Sequence, residues 1–215
     1  MANGPSAYLI PGRGERLEGA LGFVLRQEGR RLRGRELRGD FAGLRFPDQL
    51  ATIAEDLASG FRSGEAVAVG RSYGAYLLLH TLAERAPFPG RVLLFSPVLG
   101  AGVRPDGRFG SRPPRVGKLR EMARAGTFPI PAALEIHTGA EDEGCDPVLA
   151  REIFSDMPGA NLVVVPGMGH ELDPEYVWRT VRRFLRKASR RDERSDSIGR
   201  DDPDGEGRSG PAAGG

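Results

Sequence analysis

Cysteine is nearly absent from this sequence. Cys145 is the one cysteine among 215 residues, which excludes an internal disulfide and fits a reducing compartment. No apolar run approaches the roughly 20 residues needed to cross a bilayer. The first residues also lack the basic and apolar segments of a secretory signal. We therefore expect a cytoplasmic protein with no membrane partner.

A dominant charge of one sign is lacking as well, since the formal net charge is only +2. Lysine is scarce, and arginines cluster at 26–38. Glu28, Glu36 and Asp40 lie within or next to that cluster, and no aromatic residue lies among its arginines. Such a mixed footprint is untypical of proteins that bind nucleic acid. We expect no nucleic-acid partner.

Short apolar runs alternate with amphipathic stretches from residue 7 to residue 188. The predicted strands are 7–10, 31–37, 66–70, 91–97, 133–139 and 161–167. The predicted helices are 16–29, 46–61, 75–86, 146–157 and 174–188. Several strands are continuously apolar, which indicates burial on both faces and a parallel sheet covered by helices. The pattern predicts an α/β three-layer sandwich with a mostly parallel sheet of about six strands.

Two segments interrupt this pattern. Residues 99–131 are rich in glycine, proline and arginine, with a short helical candidate at 117–126, and we interpret them as a short lid-like excursion. Residues 189–215 contain almost no apolar side chains, which predicts a disordered polar tail. The sequence therefore predicts one domain over residues 1–188, followed by that tail.

A serine framed by glycines, Gly70-Arg71-Ser72-Tyr73-Gly74, separates a predicted strand from a predicted helix. This context is that of a nucleophile elbow, a turn so tight that only glycine fits beside the serine. The N-terminus of the following helix adds N–H groups and a dipole that favour developing negative charge. Ser72 is therefore the candidate nucleophile.

A serine hydroxyl needs a base, and the base needs an orienting acid. Of the three histidines, His80 lies in the helix after Ser72, and His137 lies within a strand as a packed or hydrogen-bonded core residue. His170 follows the last strand in a glycine-rich loop, where it can reach the carboxyl edge of the sheet. We predict that His170 is the base.

The acid is expected after another strand, at the same edge. The acidic turn at 141–146 follows the strand that ends near Gly139, and we choose Asp142, with Asp146 as the alternative. The turn also contains Cys145, but it has neither the paired ligands of a zinc site nor the alternating oxygens of a calcium loop. We predict no metal and no cofactor.

The glycine frame around Ser72, then Asp142, then Gly-Met-Gly-His ending at His170, resembles the α/β-hydrolase family in residue types and order. The resemblance spans residues 7–188. It implies that the segment LIPGRGE at 9–15, with proline where histidine is common, supplies one oxyanion-hole N–H at Arg13, and that Tyr73 supplies the other. The chain begins close to its first strand, so we expect the first antiparallel strands of larger members to be missing.

The resemblance implies a serine hydrolase that cleaves small or medium acyl esters of a small-molecule substrate. Alternatives are a thioesterase or acyltransferase with the same residues, and a non-catalytic ligand-binding protein of the same fold. A further alternative has Arg13 and Arg71 binding an anionic substrate. We favour the interpretation that these arginines face solvent or pair with Glu15 and Glu171.

Overall fold

A computed structural model of the chain describes residues 6–99 and 115–198, without the side chains of residue 116 and residues 187–198. Six strands form one sheet in the order β2-β1-β3-β4-β5-β6, and every neighbouring pair is parallel. The strands are β1 Ser6–Ile10, β2 Arg31–Gly34, β3 Val67–Arg71, β4 Arg91–Phe95, β5 Ala133–Gly139 and β6 Ala160–Val165. The predicted, mostly parallel sheet of about six strands is confirmed.

Helices cover both faces of this sheet. They are α1 Ala20–Gln27, α2 Gly39–Gly43, α3 Phe46–Gly60, α4 Tyr73–Ala83, α5 Val116–Arg124, α6 Pro147–Ser155 and α7 Pro174–Ile198. Side chains alternate along each strand, so Tyr8 and Ile10 of β1 join the core under α3 to α6, whereas Ala7 and Leu9 join the core under α1 and α7. The predicted three-layer sandwich is therefore confirmed.

The C-terminal helix is longer than the apolar pattern predicts. Helix α7 continues to Ile198, past the predicted boundary at residue 188. Residues 189–198 contain neither glycine nor proline, and their arginines and glutamate are good helix formers. The first part of the segment predicted to be a disordered tail is thus helical, and its remainder, 199–215, lies outside the described residues.

Two further features differ from expectation or fall outside the description. The short helix α2 has no apolar periodicity from which to predict it. Of the lid-like excursion at 99–131, the helical candidate is confirmed as α5, whereas residues 100–114 lie outside the described part of the chain. No helix within residues 6–99 or 115–198 combines the length and apolar character that a membrane crossing requires.

The strand order reverses direction between β1 and β3. The chain goes outward from β1 to β2, then returns to the other side of β1 and continues outward through β3 to β6. At such a switch point the loops that leave two adjacent strands diverge and open a crevice at the carboxyl edge of the sheet. The loop after β1 and the turn after β3 flank this crevice.

Candidate active site

Ser72 occupies the turn between β3 and α4 in a strained backbone conformation, with φ 53° and ψ −125°. Few residues other than glycine adopt a positive φ, and such strain persists only where the surroundings enforce it. A Cβ at Gly70 would lie 2.6 Å from the Cα of Ala75, and one at Gly74 would overlap the carbonyl oxygen of Ile10. Both glycines of the predicted frame are therefore required by close backbone packing around the serine.

His170 lies in the loop after β6 and reaches the serine across the crevice. Its Nε2 is 2.8 Å from the Oγ of Ser72, and its side chain is 17% exposed. The loop rests on the end of β5, because a Cβ at Gly139 would overlap the carbonyl oxygen of Met168. The N–H of Glu141 donates to that same oxygen at 2.9 Å. The histidine loop and the acidic turn are thus held together by backbone contacts.

Asp142 is buried beneath the imidazole and fully engaged. Its Oδ1 lies 2.8 Å from Nδ1 of His170 and accepts backbone N–H groups from Gly144 at 2.9 Å and Cys145 at 2.8 Å. Its Oδ2 accepts the hydroxyl of Thr138 at 2.9 Å. These bonds fix the carboxylate plane, and through it the tilt of the imidazole.

Electrostatics favour the charged form of this acid. Burial opposes ionisation of Asp142, but the hydrogen bond and charge of His170 and the N–H of Cys145 outweigh burial and hold the pKa of the carboxyl below its usual range. Burial raises the pKa of the Cys145 thiol. Cys145 therefore contributes its backbone rather than a reactive side chain.

The alternative acid, Asp146, has a different position. Its Oδ1 accepts the N–H groups of Val148 at 2.8 Å and Leu149 at 3.4 Å, so it caps the N-terminus of α6. Of the two carboxylates between which the sequence left a choice, Asp142 is the one that contacts His170.

The two backbone segments predicted to donate to an oxyanion both flank Ser72. Tyr73 is the first residue of α4, where helical N–H groups have no intrahelical acceptor. On the other side, a Cβ at Gly12 would lie 3.4 Å from the Cβ of Ser72, and Arg13 is the next residue. The guanidinium of Arg13 lies over the ring of Tyr73, 4.8 Å from its centroid. The loop after β1 therefore packs directly against the elbow.

Arg71 and the other two histidines lie in structural contacts. Arg71 pairs with Glu15 and Glu171, as the favoured interpretation expected. His137 bonds to Glu135 and Tyr176 within the core. His80 is buried in α4 against Phe46 and Tyr76.

Across residues 6–99 and 115–198, no group of three or more His, Cys, Asp or Glu side chains is arranged to hold a metal ion.

Thr138 is a residue of the site that sequence reasoning missed. Besides its bond to Asp142, its hydroxyl lies 3.4 Å from the carbonyl oxygen of Cys145. A threonine within a strand is ordinary, since its branched side chain suits the pleated surface. Only its position four residues before Asp142 distinguishes Thr138. That spacing is informative only when it is known that the turn folds back and brings Asp142 to the threonine hydroxyl.

Solved structures of several hydrolases resemble this fold. Est1E from Butyrivibrio proteoclasticus is 17% identical, with 85% of this chain and 87% of that chain covered and a TM-score of 0.62. A monoacylglycerol lipase from Paleococcus ferrophilus is 17% identical, with 85% of this chain and 95% of that chain covered and a TM-score of 0.59. Mouse alpha/beta hydrolase domain-containing protein 10 is 16% identical, with 87% of this chain and 92% of that chain covered and a TM-score of 0.58. No protein-family model and no curated protein matches the sequence. The chain has the α/β-hydrolase fold.

Proposed function

We propose that this protein is a serine hydrolase that cleaves small or medium acyl esters through an acyl-enzyme intermediate. The observation that carries the proposal is the unbroken hydrogen-bond relay from the hydroxyl of Ser72 through His170 to Asp142. Its position at the switch point of the sheet, where α/β folds bind ligands, adds support. The monoacylglycerol lipase among the similar structures is consistent with this reaction class.

Each residue of the relay has a role that follows from its chemistry. A neutral serine hydroxyl is a weak nucleophile, so Nε2 of His170 takes its proton as Oγ attacks the ester carbonyl. The carboxylate of Asp142 holds the imidazole in the tautomer that leaves Nε2 free to accept, and stabilises the imidazolium that forms. The low pKa of Asp142 keeps this carboxylate charged at neutral pH.

The oxyanion of the tetrahedral intermediate faces the backbone N–H groups of Tyr73 and Arg13, and the N-terminal end of α4 adds a favourable dipole. His170 then returns the proton to the departing alcohol, which leaves the acyl group on Ser72. A water molecule activated by the same imidazole releases the acid and restores the serine.

Anion-selective hydrolysis is not favoured by the contacts of the arginines. The guanidinium of Arg71 already pairs with two carboxylates, and that of Arg13 lies over the ring of Tyr73. A thioester substrate or an acyl acceptor other than water would use the same relay. An acyl-chain series of p-nitrophenyl esters, run beside acyl-thioesters, separates these substrates.

Replacing the nucleophile tests the proposal. Ser72→Ala is expected to lower kcat for p-nitrophenyl butyrate by about 10⁶-fold and to abolish covalent labelling by a fluorophosphonate probe. Ser59→Ala, at an exposed serine in α3, is the matched control and should behave as the wild type. A correctly folded wild type that turns over no ester or thioester and takes up no probe would instead favour the ligand-binding alternative.

A further inference from the structure

Arg71 contacts both loops of the candidate site at once. It is the last residue of β3 and immediately precedes Ser72. Its Nη1 lies 2.8 Å from Oε1 of Glu15, in the loop after β1, and its Nη2 contacts Oε2 of Glu171, next to His170. A single guanidinium therefore joins the elbow, the loop after β1 and the histidine loop.

The contact with Glu15 extends to the backbone beside the predicted oxyanion donor. The second carboxylate oxygen of Glu15 accepts the N–H of Gly12 at 2.7 Å, and the N–H of Glu15 donates to the carbonyl oxygen of Gly12 at 3.1 Å. These two bonds close a turn that contains Arg13. Because the same carboxylate binds Arg71, the position of the Arg13 amide is coupled to the end of β3, directly before Ser72.

The two contacts differ in exposure and therefore in strength. The side chains of Arg71 and Glu15 are 17% and 34% exposed, whereas that of Glu171 is 83% exposed. Solvent and salt screen an exposed ion pair to a small contribution, while a partly buried pair with good geometry retains more of its attraction. The Glu15 contact is thus the stronger constraint, and the Glu171 contact only aids the histidine loop.

Arginine suits this position for a specific reason. Its planar guanidinium presents five N–H donors in a fixed fork, so it can bind two carboxylates from separate segments. A lysine ammonium offers the same charge without that fixed geometry. Without the guanidinium, Glu15 loses its ion pair with the end of β3, and Glu171 loses its contact beside His170.

We propose that Arg71 is a positioning residue, which sets the oxyanion loop and the histidine loop against Ser72 by bridging Glu15 and Glu171. This inference rests on the proposed hydrolase function. A positioning residue of this kind acts through other groups of the protein and not by binding the substrate. Arg71 acts through the Arg13 amide and, more weakly, through the His170 loop.

The test compares Arg71→Met, Arg71→Lys, Glu15→Gln and Glu171→Gln with the wild type. The readouts are kcat and KM for p-nitrophenyl butyrate, the rate of fluorophosphonate labelling, and the affinity for a trifluoromethyl ketone that mimics the tetrahedral adduct. Loss of one oxyanion donor lowers kcat by about 100-fold, and Arg71→Met should approach that loss, with KM little changed. Its affinity for the ketone should fall in parallel with kcat/KM.

The other variants grade the effect. Arg71→Lys should restore part of the lost rate, because charge returns without the fork. Glu15→Gln keeps an oxygen for the N–H of Gly12 and loses only the ion pair, so it should lie between Arg71→Met and the wild type. Glu171→Gln should have the smallest effect. The matched control is Arg35→Met, which breaks the ion pair of Arg35 with Asp56 elsewhere on the molecule and should leave kcat unchanged.

Three results would overturn the inference. One is a folded Arg71→Met whose kcat, labelling rate and ketone affinity equal those of the wild type, whatever its thermal stability. Another is a rise in KM alone, which would make Arg71 a substrate-binding cation. The third applies if Arg71→Met does not fold, and it is that Arg71→Lys and Glu15→Gln both have the kcat, labelling rate and ketone affinity of the wild type. A wild type that hydrolyses nothing and takes up no probe counts separately, against the proposed function itself.

Discussion

Two imidazole rings of this protein each bind a carboxylate at nearly the same distance, in two different regions of the molecule. His170 Nδ1 lies 2.8 Å from Asp142, and His137 Nε2 lies 2.7 Å from Glu135. Both carboxylates are buried. The pair itself therefore does not distinguish a candidate catalytic group from a structural one.

The second nitrogen of each ring makes the difference. Nε2 of His170 faces the hydroxyl of Ser72 at the carboxyl edge of the sheet. Nδ1 of His137 faces the phenol of Tyr176 at 2.7 Å, between β5 and α7, and the side chain of His137 is fully buried. Burial raises the pKa of this phenol, so it keeps its proton. One ring reaches a nucleophile in a crevice, and the other joins a helix to the sheet.

The charges around Glu135 fit this structural role, in which His137 and Glu135 join α7 to the sheet. Arg183 of α7 contacts the same carboxylate oxygen that His137 binds. Burial opposes ionisation of Glu135, but His137 and Arg183 outweigh it and lower the pKa of the carboxyl to about 2. The lesson is that surroundings, rather than residue types, decide which pair can do chemistry.

The largest difference between the two histidine–carboxylate pairs is expected when each carboxylate is exchanged for its amide. Asp142→Asn should lower kcat for ester hydrolysis by about 10⁴-fold, because the amide favours the wrong imidazole tautomer. Glu135→Gln should leave kcat nearly unchanged, since no atom of that pair faces the crevice. The measurement is turnover of p-nitrophenyl butyrate by both folded variants. Equal losses in the two variants would erase the proposed distinction between the pairs.

A second effect is on stability and depends on pH. The pKa of Glu135 falls from 4.5 to about 2 in the folded chain, so folding is favoured above pH 4.5 by about 3 kcal/mol, at roughly 1.4 kcal/mol per pKa unit. This contribution is lost as pH falls from 4.5 towards 2, because the unfolded chain binds the proton first. Glu135→Gln removes it.

Urea unfolding at pH 7 and at pH 3 measures this effect. The free energy of unfolding of Glu135→Gln should lie well below that of the wild type at pH 7, and the gap should narrow at pH 3. The loss of stability that protonation of Asp142 causes in acid is common to both proteins and cancels in the comparison. If the difference in free energy of unfolding between the two proteins does not depend on pH, the charge of Glu135 does not stabilise the packing of α7.

The sequence predicted the parts of this protein that local pattern and close packing determine. β5 was predicted at 133–139 and lies at those residues, because its apolar run ends at the glycine that contacts the histidine loop. The elbow was predictable because Gly70 and Gly74 are sterically required beside Ser72. The predicted grouping of Ser72 with Asp142 and His170 followed from strands that end at one edge of a parallel sheet.

Contacts between segments distant in the chain were not predictable to the same degree. Glu135 and Arg183 are separated by 48 residues, and neither lies in a motif. The sequence interpretation had Arg13 and Arg71 facing solvent or pairing with Glu15 and Glu171, but it did not include the bond from the N–H of Gly12 to Glu15, which depends on the backbone path of a short loop. Such contacts depend on the register of packed elements, which apolar periodicity does not specify.

The smallest effect is expected from removal of the Tyr176 hydroxyl, which contacts the structural pair of His137 and Glu135. Tyr176→Phe deletes the bond to Nδ1 of His137 while the ring stays in place. The free energy of unfolding should fall by about 1 kcal/mol, the usual net value of such a bond, and kcat should not change. The comparison sharpens further if Ser72→Ala, which removes the hydroxyl facing the other imidazole, abolishes turnover without a similar loss of stability. Reduced turnover in Tyr176→Phe at unchanged stability would instead connect the two histidine regions, because α7 begins directly after the loop that carries His170.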